Sequence, residues 1–461
     1  MNDYLLLELA GICLYRNLLK DKSVQGLVAL IRLVQDDNAH MESIISAWSE
    51  ISAELFRMNA VSFHQHVKNI VSHDENAFTL ACERHEATLE SPLTRQAASD
   101  LKVLGKLASI KCSELKKKMK EKMRGNLEVY RIIDELPDWN PQPIPATDES
   151  GPEAGIALHQ LKHFNDEAEA KTRISSQLQQ PIPTGDEGMA ERIFWHQKNG
   201  AGLLSAHSFF IWDGTSLKPV INPDPVTLDK LYLLDSQKEL AVKNTKLFLS
   251  GKAANNILFY GDRGTGKSSL VKALANEFFN EGLRLVEIPK KYLDQIPMIT
   301  AQLSGRGLNF ILFIDDLSFE NNEEKFTALK AVLEGGLEYK PGNILLYATS
   351  NRRHLVKENF ADRKGIYSDN PEEEIRARDG IQEKLSLSDR FGITIVFSSP
   401  LKKEYLQIIH KMAEEENLEA DPAILEQKAM QWEMAYNGMS PRTARQFINW
   451  MKAAGDPHSG S

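Results

Sequence analysis

The chain is short of most features that would settle a class at once. Its 461 residues include three cysteines, Cys13, Cys82 and Cys112. An odd number without metal spacing excludes a disulfide framework and fits a reducing compartment. There is no surplus of positive charge. The net charge of −9 argues against a generally basic, DNA-coating surface, though not against a local basic patch. Long apolar runs are missing too. The opening stretch MNDYLLLELAGICLYRNLL has no basic leader and is broken by Glu8 and Arg16. It reads as neither signal peptide nor membrane span, so a cytoplasmic protein with no membrane contact is expected. Internal repeats are absent. His64, His66, His73, Cys82 and His85 fit no metal spacing, and the histidines read as surface-helix residues.

What is present is globular. Apolar residues make up 42% and charged residues 26%, enough for a real core. The length suggests about three domains. Residues 1–136 are expected to be a helical domain, with apolar positions at spacings of three and four and few breakers. PDWNPQPIPATDESGPEAG opens a linker and mixed segment over 137–205. FFIW and TSLKPV flank Asp213-Gly214 and predict a β-hairpin within 206–225. Five apolar runs follow, at 255–260, 283–288, 309–314, 343–349 and 393–398, with helical stretches between the first four. That pattern predicts an α/β core over 226–400 with a five-stranded parallel sheet. Helical stripes such as Tyr405, Ile409 and Met412 mark a lid over 401–455, before a tail at 456–461 read as disordered.

The first of those strands runs into GDRGTGKSS, residues 261–269, and a helix runs out of it. Gly-x4-Gly-Lys-Ser between a strand and a helix is a phosphate-binding loop. Its glycines, Gly261, Gly264 and Gly266, let backbone amides turn inward around a phosphate. Asp262, Arg263, Thr265 and Ser269 complete the cradle, and the helix N-terminus adds partial positive charge. Lys267 is expected to reach the β- and γ-phosphates and Ser268 to ligate Mg²⁺. The third strand ends in Asp315-Asp316, at the ligand edge of an open α/β sheet. Asp315 is expected to hold Mg²⁺ and Asp316 to polarise the attacking water, with Glu320 as an alternative. The fourth strand runs into Thr349, Ser350 and Asn351, where Asn351 is the first choice to sense the γ-phosphate and Thr349 the second. Arg390 precedes the last strand, and its guanidinium suits a transition state with charge spread over three oxygens. If it lies away from its own nucleotide, it acts across a subunit interface. MSPRTARQFINWM predicts a helix capped by Ser440, with Ala444, Phe447, Ile448 and Met451 as a packing stripe and Arg442 off it, free to reach a phosphate.

With these elements in order, the region from about Val226 to Met451 resembles an AAA+ ATPase. NNILFYGDRGTGKSSLVKAL, FIDDLSFE, ATSNRRHL and SLSDRFG together resemble a bacterial AAA+ family known only as an ATP-binding domain of unknown function. The resemblance implies a sheet with the sensor strand between the phosphate-loop and Asp315 strands, a helical lid, and ATP as ligand. The Asp-Asp pair is similar to that of helicase loaders and replication initiators. AAA+ unfoldases carry Glu where this chain has Asp316, and KKYLD at 290–294 is the nearest approach to their pore loop. The expected activity is ATP hydrolysis with Mg²⁺ by a homo-oligomer that repositions a protein client recruited through residues 1–220. Two alternatives are a nucleotide-gated binding module and a helicase-loader-like, DNA-associated ATPase. The second finds its only local support in the basic stretch Lys111–Arg124, whose first reading is a solvated helix face and whose alternative is a nucleic-acid or acidic-partner contact.

Overall fold

The computed structural model describes residues 4–58, 60, 62–123, 126–139, 185–317, 329, 333, 341–351, 390–418, 420–436 and 438–454. Two compact units divide the chain, residues 1–205 and 206–461.

The described part of the first unit is helical. Polar caps start several of its helices: Asp21 accepts from the amides of Ser23 and Val24 ahead of Lys22–Gln35, Asn76 and Thr79 form a capping box, and Ser91 precedes Pro92 in the first turn of Pro92–Ala108. Trp48, Phe63, Phe78, Leu101 and Leu115 are buried together in one core. The expected linker starts inside this fold. Trp139 is buried, its ring 4.3 Å from Trp48, whose indole N–H donates to Pro137 O at 2.9 Å. The helix Asp186–Asn199, in a stretch the sequence left unplaced, packs on Ala77–Glu83 and belongs to the same unit.

Several polar residues of this unit are spent internally. Asp100 is buried and accepts the amides of Cys13, Leu14 and Tyr15 at 2.7–3.1 Å. His66 is not the surface residue expected. It is buried, with Nε2 2.9 Å from Asp21, the cap of Lys22–Gln35. Among the described residues no group of three His, Cys, Asp or Glu could hold a metal. The basic helix forms over Cys112–Lys122 with Leu115 and Met119 buried. Lys116 donates to Leu136 O at 2.7 Å and pairs with Asp138 at 3.0 Å, Lys120 pairs with Asp134 at 2.6 Å, and Lys122 donates to Asp36 O. Lys116, Lys120 and Lys122 of the basic stretch thus tie the unit together, while Lys111 and Lys117 are exposed.

The second unit holds a seven-stranded sheet among the described residues: β1 (Phe209–Trp212), β2 (Leu217–Pro219), β3 (Ile257–Gly261), β4 (Leu283–Glu287), β5 (Asn309–Ile314), β6 (Ile344–Ser350) and β7 (Ile393–Phe397), in the order β2-β1-β4-β5-β6-β3-β7. The five expected strands are all parallel. The hairpin adds two more, because β1 pairs in parallel with β4 and so extends the edge of the sheet. Its turn spans four residues rather than the two-residue Asp213-Gly214 turn expected. Asp213 Oδ1 accepts the amides of Thr215 and Ser216 and holds the loop. β5 and β6 are almost wholly buried, as apolar strands covered on both faces must be. Arg284 on β4 is 0% exposed, with Nη1 donating to Phe279 O and Leu283 O and its guanidinium 4.2 Å from the Phe279 ring centroid. The lid comprises Lys402–Glu415, Pro422–Ala435 and Pro441–Ala454. Ala444, Phe447, Ile448 and Met451 pack with Tyr405, Ile409 and Met412 in its core, and Ser440 caps the last helix by accepting from the amide of Thr443.

Candidate functional site

β5, β6 and β3 are adjacent, so the polar residues at their carboxyl ends converge on one edge of the sheet. The glycine loop leaves β3 there. Gly261 has φ +143°, and a Cβ on it would lie 1.8 Å from Phe397 O on β7, so no side chain fits. Gly264 and Gly266 have φ of +76° and +100°, which turns the loop tightly into the helix Lys267–Phe278. Lys267 is 6% exposed, and its ammonium donates to Gly261 O at 2.8 Å and Asp262 O at 2.5 Å. Burial lowers its pKa, and Asp262, Asp315 and Asp316 nearby act in the opposite direction.

Across the cleft, Asp315 Oδ1 accepts from Ser268 Oγ at 2.6 Å and from Thr349 Oγ1 at 2.6 Å. Asp316 is in the left-handed region, φ +52°, where a residue other than glycine is strained. Its amide donates to Thr349 Oγ1 at 2.8 Å, its Oδ1 accepts from Asn351 Nδ2 at 2.6 Å, and its Oδ2 pairs with Lys290 at 3.1 Å. Thr349 thus fixes both aspartates, while Asn351 and Lys290 hold the second one.

Arg263, Gly264, Thr265, Gly266, Lys267, Ser268, Ser269, Asp315, Asp316, Thr349, Asn351 and Arg442 all line one open cleft of about 730 Å³. Gly261 and Asp262 do not line it. The Asp262 carboxylate turns toward the exit of β7 and accepts from Ser399 N at 2.9 Å and Ser399 Oγ at 2.8 Å, bonds that hold its pKa low. Arg390 does not line the cleft either. Glu320 lies outside the described residues. The lid closes on the loop directly: the Arg442 amide donates to Gly264 O at 3.3 Å, and a Cβ on Gly264 would stand 3.0 Å from Ser440 Oγ.

Sequence reasoning missed the part of the cleft lined by Asp224, Pro225, Val226, Lys230, Leu231 and Met412. NPDPV, residues 222–226, spans the expected boundary between hairpin and core. Arg445 also lines the cleft and pairs with Glu416 at 3.0 Å. The segment weighed as a pore loop forms a 3₁₀ helix, Lys290–Gln295. Tyr292 packs over the hairpin turn, its ring 2.7–2.8 Å from where a Gly214 Cβ would sit. Gln295 accepts from the buried Trp212 indole at 2.6 Å. This segment braces the sheet edge and offers no projecting aromatic finger.

The strand order, the glycine loop after β3, the acidic pair after β5, the polar end of β6 and the helical lid define an AAA+ P-loop fold. The chain belongs to a sequence family described as a protein of unknown function, DUF815, which matches residues 205–455. None of the curated proteins matches it. Among solved structures, it is similar to the Thermotoga maritima RuvB Holliday junction branch migration motor at 20% identity and a TM-score of 0.33, over 50% of this chain and 63% of that one. A mutant of the same motor gives 19% identity and a TM-score of 0.34, over 50% and 64%. The chain thus spans less than two thirds of those structures. No helix among the described residues is long and apolar enough to cross a membrane.

Proposed function

We propose that this chain binds ATP with Mg²⁺ in the cleft and hydrolyses it, as an oligomer whose cycle repositions a partner. One observation carries the reading: Ser268, Thr349 and Asp315 meet within 2.6 Å contacts beside the buried Lys267. The oxygen donors of Ser268 and Asp315 suit a hard cation that keeps water and phosphate as its other ligands. When bound, Mg²⁺ would neutralise charge on the transferred phosphoryl group. Lys267 exchanges its two loop carbonyls for phosphate oxygens. Asn351 and Asp316 orient the attacking water, and Arg442 reaches in from the lid. Arg390, away from the cleft of its own chain, would act in a neighbouring subunit. The apolar part of the lining, Pro225, Val226, Leu231 and Met412, suits the flat face of a base.

A nucleotide-gated module with little turnover is the second reading, and a specific observation favours it. Both carboxylate oxygens of Asp316 are already engaged, by Asn351 and Lys290. Phosphate release under saturating ATP·Mg²⁺ separates the two. Steady release supports hydrolysis, whereas tight binding with none supports the gate. Heat-silent mixing with millimolar ATP in calorimetry would remove both.

A further inference from the structure

The helix that carries Lys267 also holds the 224–226 part of the cleft. Asn276, nine residues further along Lys267–Phe278, donates from Nδ2 to Asp224 O at 2.9 Å and to Val226 O at 2.8 Å. Both amide hydrogens are used, one on each carbonyl. One turn earlier on the same face, Lys272 pairs with the Asp224 carboxylate at 3.5 Å. The segment they grip is NPDPV, in which Pro223 and Pro225 have no N–H to donate to a sheet ladder. Asp224, Pro225 and Val226 are also the residues that form the cleft's lip. A stretch so poor in its own hydrogen bonds keeps its position only if something outside fixes it.

We infer that Asn276 is a positioning residue for base recognition. It clamps the 224–226 lip at a set height above the phosphate loop, so one rigid helix gauges both ends of a nucleotide. Lys267 and Asn276 are separated by about 13 Å along the axis, a span that separates phosphate contacts from base contacts. The inference rests on the proposed nucleotide site and names the element within it that selects a nucleotide over a bare polyphosphate. Arg263, Lys267 and Arg442 would hold any triphosphate, while the lip meets only the base.

The test compares two probes, ATP·Mg²⁺ and inorganic tripolyphosphate with Mg²⁺, by calorimetry on the full chain. Wild-type protein that binds neither would overturn the site itself, before any variant is made. Given wild-type binding, Asn276→Ala is expected to weaken ATP about tenfold, the loss of two modest hydrogen bonds to the lip, and to leave tripolyphosphate within about twofold. The near-isosteric Asn276→Asp, which keeps the side-chain shape but removes both donors, should behave the same way and guards against a packing effect. Equal weakening of both probes would mean that the helix, not the lip, was disturbed, and would overturn the inference. Unchanged ATP affinity in both variants would overturn it equally.

Discussion

Two lysines, one in each unit, show how the units differ. Lys116 in the helical unit and Lys267 in the AAA+ unit are both largely shielded from water, and both donate to pairs of backbone carbonyls. Lys116 also has a carboxylate, Asp138, and lies 5.6 Å from the Trp48 ring centroid, so its charge is answered. Among the described residues Lys267 donates only to the two carbonyls of its own loop; it faces a cleft and is kept by burial below its ordinary pKa. A cation held by neutral acceptors beside open space can change partners at low cost, but one held by a carboxylate and an aromatic ring cannot. The same contrast runs through the acids. Asp100 is closed off by three amides, while Asp315 and Asp316 gather hydroxyl, amide and ammonium groups at the rim of the cleft.

The sharpest way to break the comparison is Lys267→Ala. Loss of nucleotide binding or turnover by about 10³-fold is expected, because the phosphate charge then has no buried counter-charge. Stability should change by no more than about 1 kcal/mol, since two hydrogen bonds are lost but a desolvated cation is removed with them. A thermal melt beside a binding isotherm decides, and an unfolded variant would place Lys267 with the structural lysines. Arg390→Ala should follow in size. ATP binding is expected to survive, with turnover reduced about 10³-fold, as for an arginine supplied from a second subunit. Full turnover in this variant would end the proposal that Arg390 acts across an interface.

The helical unit carries its own titration. His196 is 0% exposed, with Nδ1 donating to Gly200 O at 2.9 Å and its ring edge-on to Phe78 and Trp195. Burial pulls its pKa down to about 4, reinforced by Arg192 and His73 and opposed by the Gly200 bond and Glu83. The unfolded chain takes up this proton near pH 6.5 and the folded chain only near 4, so the unfolded state binds more protons between those values. Stability contributed by neutral His196 is therefore complete above about 6.5 and is lost as pH falls toward 4. The loss is on the order of 3 kcal/mol. His196→Phe should flatten that part of a urea-midpoint profile against pH, and an unchanged slope would exclude His196 as its source.

How much of this was legible depended on where each signal lies. The phosphate loop and the Asp315-Asp316 pair were readable because their chemistry is local: spacing along the chain fixes geometry at a strand end. The order β5-β6-β3 came from family resemblance, since strand adjacency leaves no trace in spacing. Asp262 looked like a cradle residue from its position, yet its partner Ser399 is distant in sequence and turns it toward the β7 exit. Asn276 and the lip were invisible for a simpler reason. Asn276 grips backbone carbonyls, which every residue has, so nothing in NPDPV announces a partner. The basic helix reads in sequence as a solvated face, and it spends Lys116, Lys120 and Lys122 on contacts within the unit, because charge density says nothing about whether an ammonium meets solvent or a neighbouring helix end.

That last point gives the smallest expected effects and the cleanest control. Lys116→Ala removes the donor that satisfies Leu136 O and the partner of Asp138, at a side chain 12% exposed. A loss of about 2 kcal/mol in the first unit is expected from the unmet acceptors and lost stem packing. Nucleotide binding should be untouched. Lys117, exposed on the same helix, offers the contrast: Lys117→Glu should shift stability by less than about 0.5 kcal/mol. If the helix instead serves DNA, Lys117→Glu weakens a salt-dependent shift with single-stranded or duplex DNA, because removing a phosphate contact lowers the slope against salt. A DNA affinity that falls with Lys117→Glu while stability holds would move this helix from the closed side of the comparison to the open one.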